Sequence, residues 1–298
     1  MKKNIFDIPI EVIKKGTKKY PQELLDLTDP PLELRVRGAF DASIFSNALA
    51  VVGSRKMTRY GKDLVETFVT ALSSRNLVVI SGFMYGVDTT AHRAAIEAGG
   101  VTIAVLAHGL NYIYPSENKD LYQLILDSGG CLISEYPDSF KPQLWTYPKR
   151  NRIVAALAKK GTLIIEAAEQ SGSLITASYA DALNRPLFAV PGSVFSKTSE
   201  GTNRLIKDAI AQMVLSIEDI VPSFNSGSDI APTLFEDINK DEKALLAALS
   251  YEEMNIDEIS MKVSKTVTEI GSHLTMLSLR GMVEETNGVY RIRTVKKK

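Results

Sequence analysis

The sequence has few of the residues that crosslink folds or hold metals. Among 298 residues there is one cysteine, Cys131, and there are three histidines, His92, His108 and His273. A single cysteine excludes an internal disulfide. Cys131 also lies in the apolar run Cys131-Leu132-Ile133, where a thiol is expected to be a core residue. The histidines are far apart and not at metal-ligand spacings, so no metal or other cofactor is expected. No apolar run approaches the ~18 residues of a membrane span, and Met1-Lys2-Lys3-Asn4 does not open a signal peptide. A cytoplasmic protein with no membrane partner is expected. Charge of one sign is also missing: thirty-five basic residues balance thirty-five acidic ones. Any nucleic-acid site must therefore be a local patch. Nucleotide and nucleophile signatures are missing too. There is no Gly-x-Gly-x-x-Gly fingerprint, no P-loop and no Gly-x-Ser-x-Gly elbow.

What is present is a repeated pattern of strand, glycine-bearing turn and helix. Short runs rich in Val, Ile and Leu at 48–52, 77–81, 102–106, 131–134, 162–166 and 187–190 read as strands. Helical periodicity fills 62–75, 89–98, 119–128, 151–159 and 173–184. Apolar strands alternating with amphipathic helices predict a Rossmann-like, doubly wound, mainly parallel sheet covered on both faces. This domain is placed at 41–221. Residues 1–40, with a possible strand at 34–36, are read as an N-terminal extension packed on it. Residues 222–235 have the Ser, Pro and Gly content of a linker. Over 236–298, three helical segments precede two extended ones joined by Asn287-Gly288, a hairpin signal, which predicts a winged helix.

Several strand ends carry residues suited to anions. Gly53-Ser54-Arg55 follows the first strand: glycine admits close backbone approach, the serine offers a hydroxyl, and the arginine can fork onto a phosphate. A tight turn with a surface arginine is the plainer reading. Ser81-Gly82 and Gly86-Val87-Asp88 follow the second strand, with Asp88 placed as a helix cap or a ligand contact. Trp145-Thr146-Tyr147-Pro148-Lys149-Arg150-Asn151-Arg152 sets three cations beside two aromatics at a helix N-terminus. Unless Trp145 is core and the cations merely solvated, this suits a nucleic-acid backbone with splayed bases. Ser171-Gly172-Ser173 and Pro191-Gly192-Ser193 add two more Gly-Ser turns on the same rim. No histidine lies within a serine motif, so hydrolysis is poorly supported.

Taken together and in order, these motifs resemble the DNA-processing protein A (DprA/Smf) family over about residues 18–215. Ser171 to Ala177, Gly201-Thr202-Asn203 with Leu205-Ile206, and the run-in Tyr20-Pro21 to Asp29-Pro30-Pro31 also carry the likeness. The resemblance implies a non-enzymatic protein that binds single-stranded DNA, protects it and loads the RecA recombinase during natural transformation. It further implies a homodimer, with single-strand-binding protein as another possible contact. Carried over residue by residue, Arg55 clasps a phosphate, Lys149, Arg150 and Arg152 add phosphate contacts, and Tyr147 stacks on a base. Asn151 belongs to the same block. The Gly-Ser turns at Gly53, Ser54, Ser81, Gly82, Ser171, Gly172, Ser173, Gly192 and Ser193 supply amides and hydroxyls. Leu205, Ile206 and Ile210 are assigned to the dimer surface, although such a stripe reads equally as core.

This chain departs from the family pattern in three places. The N-terminal helical domain many members carry is not expected in these residues, Ala107 to Asn111 differs from the usual segment, and Phe83-Met84 is bulky. The 236–298 segment has eleven acidic and ten basic residues. A regulatory or protein-contact role is expected for it rather than DNA reading. The alternative function is a nucleotide-binding or phosphoribohydrolase-like protein of similar fold. A nucleotide-sensing regulator is a third possibility.

Overall fold

The computed structural model describes residues 5–221, 240–249, 252–279, 282–286 and 288–292. It divides into two compact units at residues 222 and 223. The expected linker, 222–235, lies outside the described residues.

The first unit is built on one nine-stranded sheet. Its parallel centre comprises β3 (Ala48–Val52), β4 (Val78–Ser81), β5 (Thr102–Leu106), β6 (Cys131–Ser134), β7 (Thr162–Ile164), β8 (Leu187–Ala189) and β9 (Gln212–Met213). Two further strands, β1 (Ile10–Lys14) and β2 (Glu33–Gly38), complete the order β1-β2-β6-β5-β4-β3-β7-β8-β9. The central strands are buried on both faces, which is why they read as continuous apolar runs. Alternation sends Ala48, Ala50 and Val52 to one core and Leu49 and Val51 to the other.

Helices cover both faces. Helices α1 (Arg59–Ser74) and α2 (Val87–Glu97) bury Val65, Val69, Leu72 and Ala91 against one side, and α3 (Lys119–Asp127) continues that layer. On the other side lie α4 (Thr146–Leu157) and α5 (Gly172–Ala182), with α6 (Glu200–Lys207) following β8. α4 begins five residues before the expected 151. Pro148 does not prevent this, because the first turn of a helix has no intrahelical use for its N–H.

The chain winds from β3 outward to β6, then returns and continues on the other side through β7. The connections after β3 and β7 therefore diverge, and a crevice opens at their carboxyl ends, the switch point of such sheets.

The expected N-terminal extension is corrected in one respect: it supplies two strands of the sheet. β2 pairs antiparallel with β6 (Arg35↔Ser134, Arg37↔Leu132), and β1 forms the edge. Arg37 is fully buried there, donating to the carbonyls of Ile8 and Leu110, to Asn111 Oδ1 and to Tyr122 Oη at 2.7–3.2 Å. It thereby ties the 107–111 segment to the sheet.

The second unit is a winged helix. It comprises α7 (Lys240–Leu249), β10 (Met254–Asn255), α8 (Ile256–Val263), α9 (Val267–Leu279), β11 (Val283–Thr286) and β12 (Val289–Ile292), with strand order β10-β12-β11. Leu245, Leu249, Ile259, Ile270, Leu274 and Val283 form its core. Asn255 and Glu258 cap α8 reciprocally. Gly288 takes φ +80°, as the hairpin signal requires, while Asn287 lies outside the described residues. No described helix is long and apolar enough to cross a membrane.

Candidate nucleic-acid interface

A cleft of about 570 Å³ opens at the switch point, lined by the turns after β3, β4 and β7 and by the first turns of α4 and α5. Glycine shapes its floor. A Cβ on Gly53 would stand 2.7 Å from Val87 Cγ2, and one on Gly82 would stand 2.5 Å from an Arg150 nitrogen and 2.7 Å from Asp88 Oδ2. These two glycines let α2 and Arg150 approach the strand ends. Gly172 differs, because a Cβ there would meet nothing within 4 Å.

α4 distributes the basic block around its axis. Tyr147, Arg150 and Asn151 face the cleft. Arg150 is only 4% exposed and donates to the carbonyls of Gly82 and Val105, so it clamps the ends of β4 and β5 together. Asp88 lies beside it. This is not the expected helix cap: Asp88 sits in the first turn of α2 and accepts from the Met84 amide at 3.2 Å. Burial pushes its carboxyl above the usual carboxylate range, against the pull of the Arg150 guanidinium.

Arg152 points away from the cleft. It is 3% exposed and pairs with Glu135 at 2.7 Å and Asp29 at 3.1 Å. Lys149 stays exposed on that same side, 3.8 Å from Glu135. The two acids that neutralise this side of the helix come from elsewhere in the chain.

At the mouth, Arg55 lies over the Tyr147 ring, 5.5 Å from Cζ to the centroid. Arg55 is exposed and engages no ion pair among the described residues. Tyr114 flanks Tyr147 at 6.3 Å between ring centroids, and the Tyr147 hydroxyl has no hydrogen-bond partner among the described residues. Burial raises the Tyr147 phenol, with Tyr114 adding to the effect. Opposite, Ser171 caps α5, its hydroxyl meeting that of Ser173 at 2.8 Å. Asn151 Nδ2 donates to the Gly172 carbonyl at 3.1 Å. The N-terminus of α5 thus faces a cleft that also holds Arg55, a cation without an ion pair among the described residues, an arrangement suited to anions.

Besides Lys149 and Arg152, three more expected residues fall outside the lining. The Ser81 hydroxyl is buried and donates to the Val51 carbonyl at 2.7 Å. Gly192 is clasped by Asn203, which bonds both its N–H and its carbonyl at 3.0 Å. Ser193 is exposed and accepts from the Phe195 amide at 3.3 Å. Lys56, Tyr114, Leu144, Gln170 and Thr198 line the cleft without having been anticipated. Lys56 adjoins a recognised motif, whereas Tyr114 comes from a long connection with no local signal. The carboxylate at the end of β7, Glu166, is spent structurally, accepting from the Thr58 amide and the hydroxyls of Thr58 and Thr198.

Comparison with known proteins fits this geometry. The family model for DNA recombination-mediator protein A matches residues 11–225, and that for the DprA winged helix domain matches residues 231–288. The chain belongs to this recombination-mediator family. It is 36% identical to protein Smf of Escherichia coli over 94% of this chain and 76% of that protein. Against the Bacillus subtilis DNA processing protein DprA the identity is 38%, over 71% and 70%. The crystal structure of DprA from Streptococcus pneumoniae superposes with a TM-score of 0.65 at 36% identity, covering 74% of this chain and 75% of that one. That of Helicobacter pylori DNA processing protein A, whose study concerns its single-stranded DNA binding mode, gives 0.63 at 30% identity, over 71% and 94%.

Proposed function

We propose that this chain binds single-stranded DNA in the switch-point cleft, without catalysis, and acts as a recombination mediator. The observation that carries this reading is Arg55: a cation without an ion pair among the described residues, held over an aromatic ring at the mouth of a cleft that the N-terminus of α5 faces. A phosphate satisfies the guanidinium beside the positive end of α5, and a base satisfies the ring. Gly53, Ser54, Gly82, Asn151, Ser171, Gly172 and Ser173 shape or line the cleft, Lys149 supplies charge outside it, and Arg150 and Arg152 position the elements that carry it. Gly192 and Ser193 serve the adjoining loop.

Non-enzymatic action is supported by the lining. Among the described residues that line it, Asp88 is the one carboxylate and lies against Arg150, and none is a histidine. A phosphoribohydrolase would need a free acid or base at that point. The RecA loading, protection of incoming strands, single-strand-binding protein contact and role in DNA uptake rest on the family resemblance. So does the homodimer, for which the β9 edge is the surface we favour. Leu205 and Ile206 pack partly onto the core, whereas Ile210, Met213 and Leu215 are exposed along the β9 edge. The winged helix is assigned a regulatory or protein-contact role.

Fluorescence anisotropy with labelled oligo(dT) across a salt series tests the central claim. Tight binding that weakens steeply with salt, is lost in Arg55→Glu and is weak on duplex supports it. No binding to any single strand overturns it and redirects attention to free nucleotides.

A further inference from the structure

The connection between β6 and α4 ends in a feature the cleft does not use. Tyr136 and Phe140 stack at 4.8 Å and 19°, and Trp145 meets both edge-on, at 6.1 and 6.2 Å with 80° between planes. The base beneath is bolted down: Phe140 N–H donates to the Pro137 carbonyl at 2.8 Å, and the Gly109 and Asn111 amides donate to Phe140 and Asp138 at 2.9 Å. On this rigid support Trp145 remains 58% exposed and the neighbouring Leu144 is 91% exposed. A tryptophan serving only as a cover is expected to bury most of its surface.

Trp145 is the residue before α4, and Tyr147 lies two positions on. About 100° of helical rotation per residue turns the two rings to different sides, so Tyr147 enters the cleft and Trp145 stands outside it. Leu144 lines the cleft and links the two. The exposed cations Lys141 and Lys149 flank the indole in sequence.

We propose that Trp145 is a second base-stacking platform, taking a nucleotide of the same single strand after it leaves the cleft. This rests on the single-strand reading above. The occupant follows from continuity: a strand held at Arg55 and Tyr147 and longer than the cleft must leave it, and the Leu144-Trp145 edge, which adjoins the cleft at Leu144, offers an exposed apolar face. Base-aromatic stacking is tolerant of sequence, so the platform adds affinity for length rather than for a base identity.

The protein contains one tryptophan, so its emission reports on this residue alone. The full chain is titrated with oligo(dT) of increasing length and with abasic strands of equal length, reading anisotropy and tryptophan emission in parallel. The proposal expects quenching that appears only above the shortest length that binds, and none from abasic strands at saturation. Trp145→Ala is expected to weaken long oligonucleotides about tenfold while sparing the shortest binder, and Trp145→Phe to restore most of the loss. Binding by anisotropy with unchanged emission, or equal quenching by abasic strands, overturns the platform and leaves the cleft standing. A loss in Trp145→Ala that is the same at every length assigns the residue to loop support and also overturns it. No anisotropy change with any strand overturns the single-strand reading and the platform with it.

Discussion

The guanidinium of Arg55 sits 5.5 Å from the ring centroid of Tyr147, so the turn after β3 and the first turn of α4 meet across the cleft. The contact prepositions a cation and a stacking face together. Arg55→Glu is expected to abolish oligo(dT) binding in anisotropy at moderate salt. Arg55→Ala is expected to lose roughly tenfold and to lower the salt slope by about one phosphate's worth. Neither variant is expected to move the unfolding midpoint appreciably, because Arg55 is exposed and makes no ion pair among the described residues.

Arg150 behaves oppositely. Its removal leaves the carbonyls of Gly82 and Val105 without their donor and Asp88 without its neighbouring cation. Arg150→Met is expected to destabilise the first unit by about 3 kcal/mol in denaturant unfolding. Gly82→Ala is expected to be harmful for the same reason, since its Cβ would collide with both members of that pair. If Arg150→Met keeps full stability and loses only DNA binding, Arg150 is a ligand contact and not a clamp.

His92 gives an acid-side prediction. It is fully buried, with Nδ1–H donating to Thr102 Oγ1 at 2.7 Å while that hydroxyl donates to the Val79 carbonyl at 2.8 Å. Burial, aided by Arg150, pushes its pKa from 6.5 down to about 3. The folded state therefore holds a neutral ring while the unfolded chain takes up a proton below pH 6.5. This term leaves stability intact above that pH. Between pH 6.5 and about 3 it withdraws stability at up to about 1.4 kcal/mol per pH unit. Comparing denaturant midpoints of wild type and His92→Gln at pH 7, 5.5 and 4.5 isolates the effect. The variant is expected to lose less on acidification, and parallel curves would show that His92 titrates normally.

The β9 edge predicts oligomeric behaviour. Leu215 is 70% exposed beside Ile210 and Met213, and an apolar strand edge of this kind invites pairing. Leu215→Glu with Ile210→Glu is expected to convert a dimer to a monomer in light scattering without changing the unfolding midpoint by more than a few degrees. A wild type that stays monomeric at high concentration removes the dimer from the proposal.

The parallel core was legible because doubly buried strands read as continuous apolar runs, and part of the rim because glycine and serine follow β3, β4 and β7. β1 was harder to see, and β2 showed only as a possible strand at 34–36 with no sign that it joins the sheet. β1 exposes most of its residues at the edge, and β2 carries Arg35 and Arg37, whose acceptors lie as far away as Asp138 and Asn111. The basic block misled for a different reason. Adjacent residues on a helix diverge by about 100°, so Lys149, Arg150 and Arg152 cannot all face one ligand. Sequence adjacency also hides the partners of Arg152: Asp29 is 123 residues away, and Glu135 lies on the preceding connection.

Gly172 opens the first turn of α5 with free space where its side chain would be. A glycine there forgoes roughly 0.5–1 kcal/mol of helix stability relative to alanine, and no packing demand compensates. The aperture of the cleft can therefore be narrowed in steps, from alanine to leucine to phenylalanine, with the scaffold unchanged or slightly more robust. At Gly172 the width of the cleft is uncoupled from the durability of the fold, which makes this position a dial on what can enter.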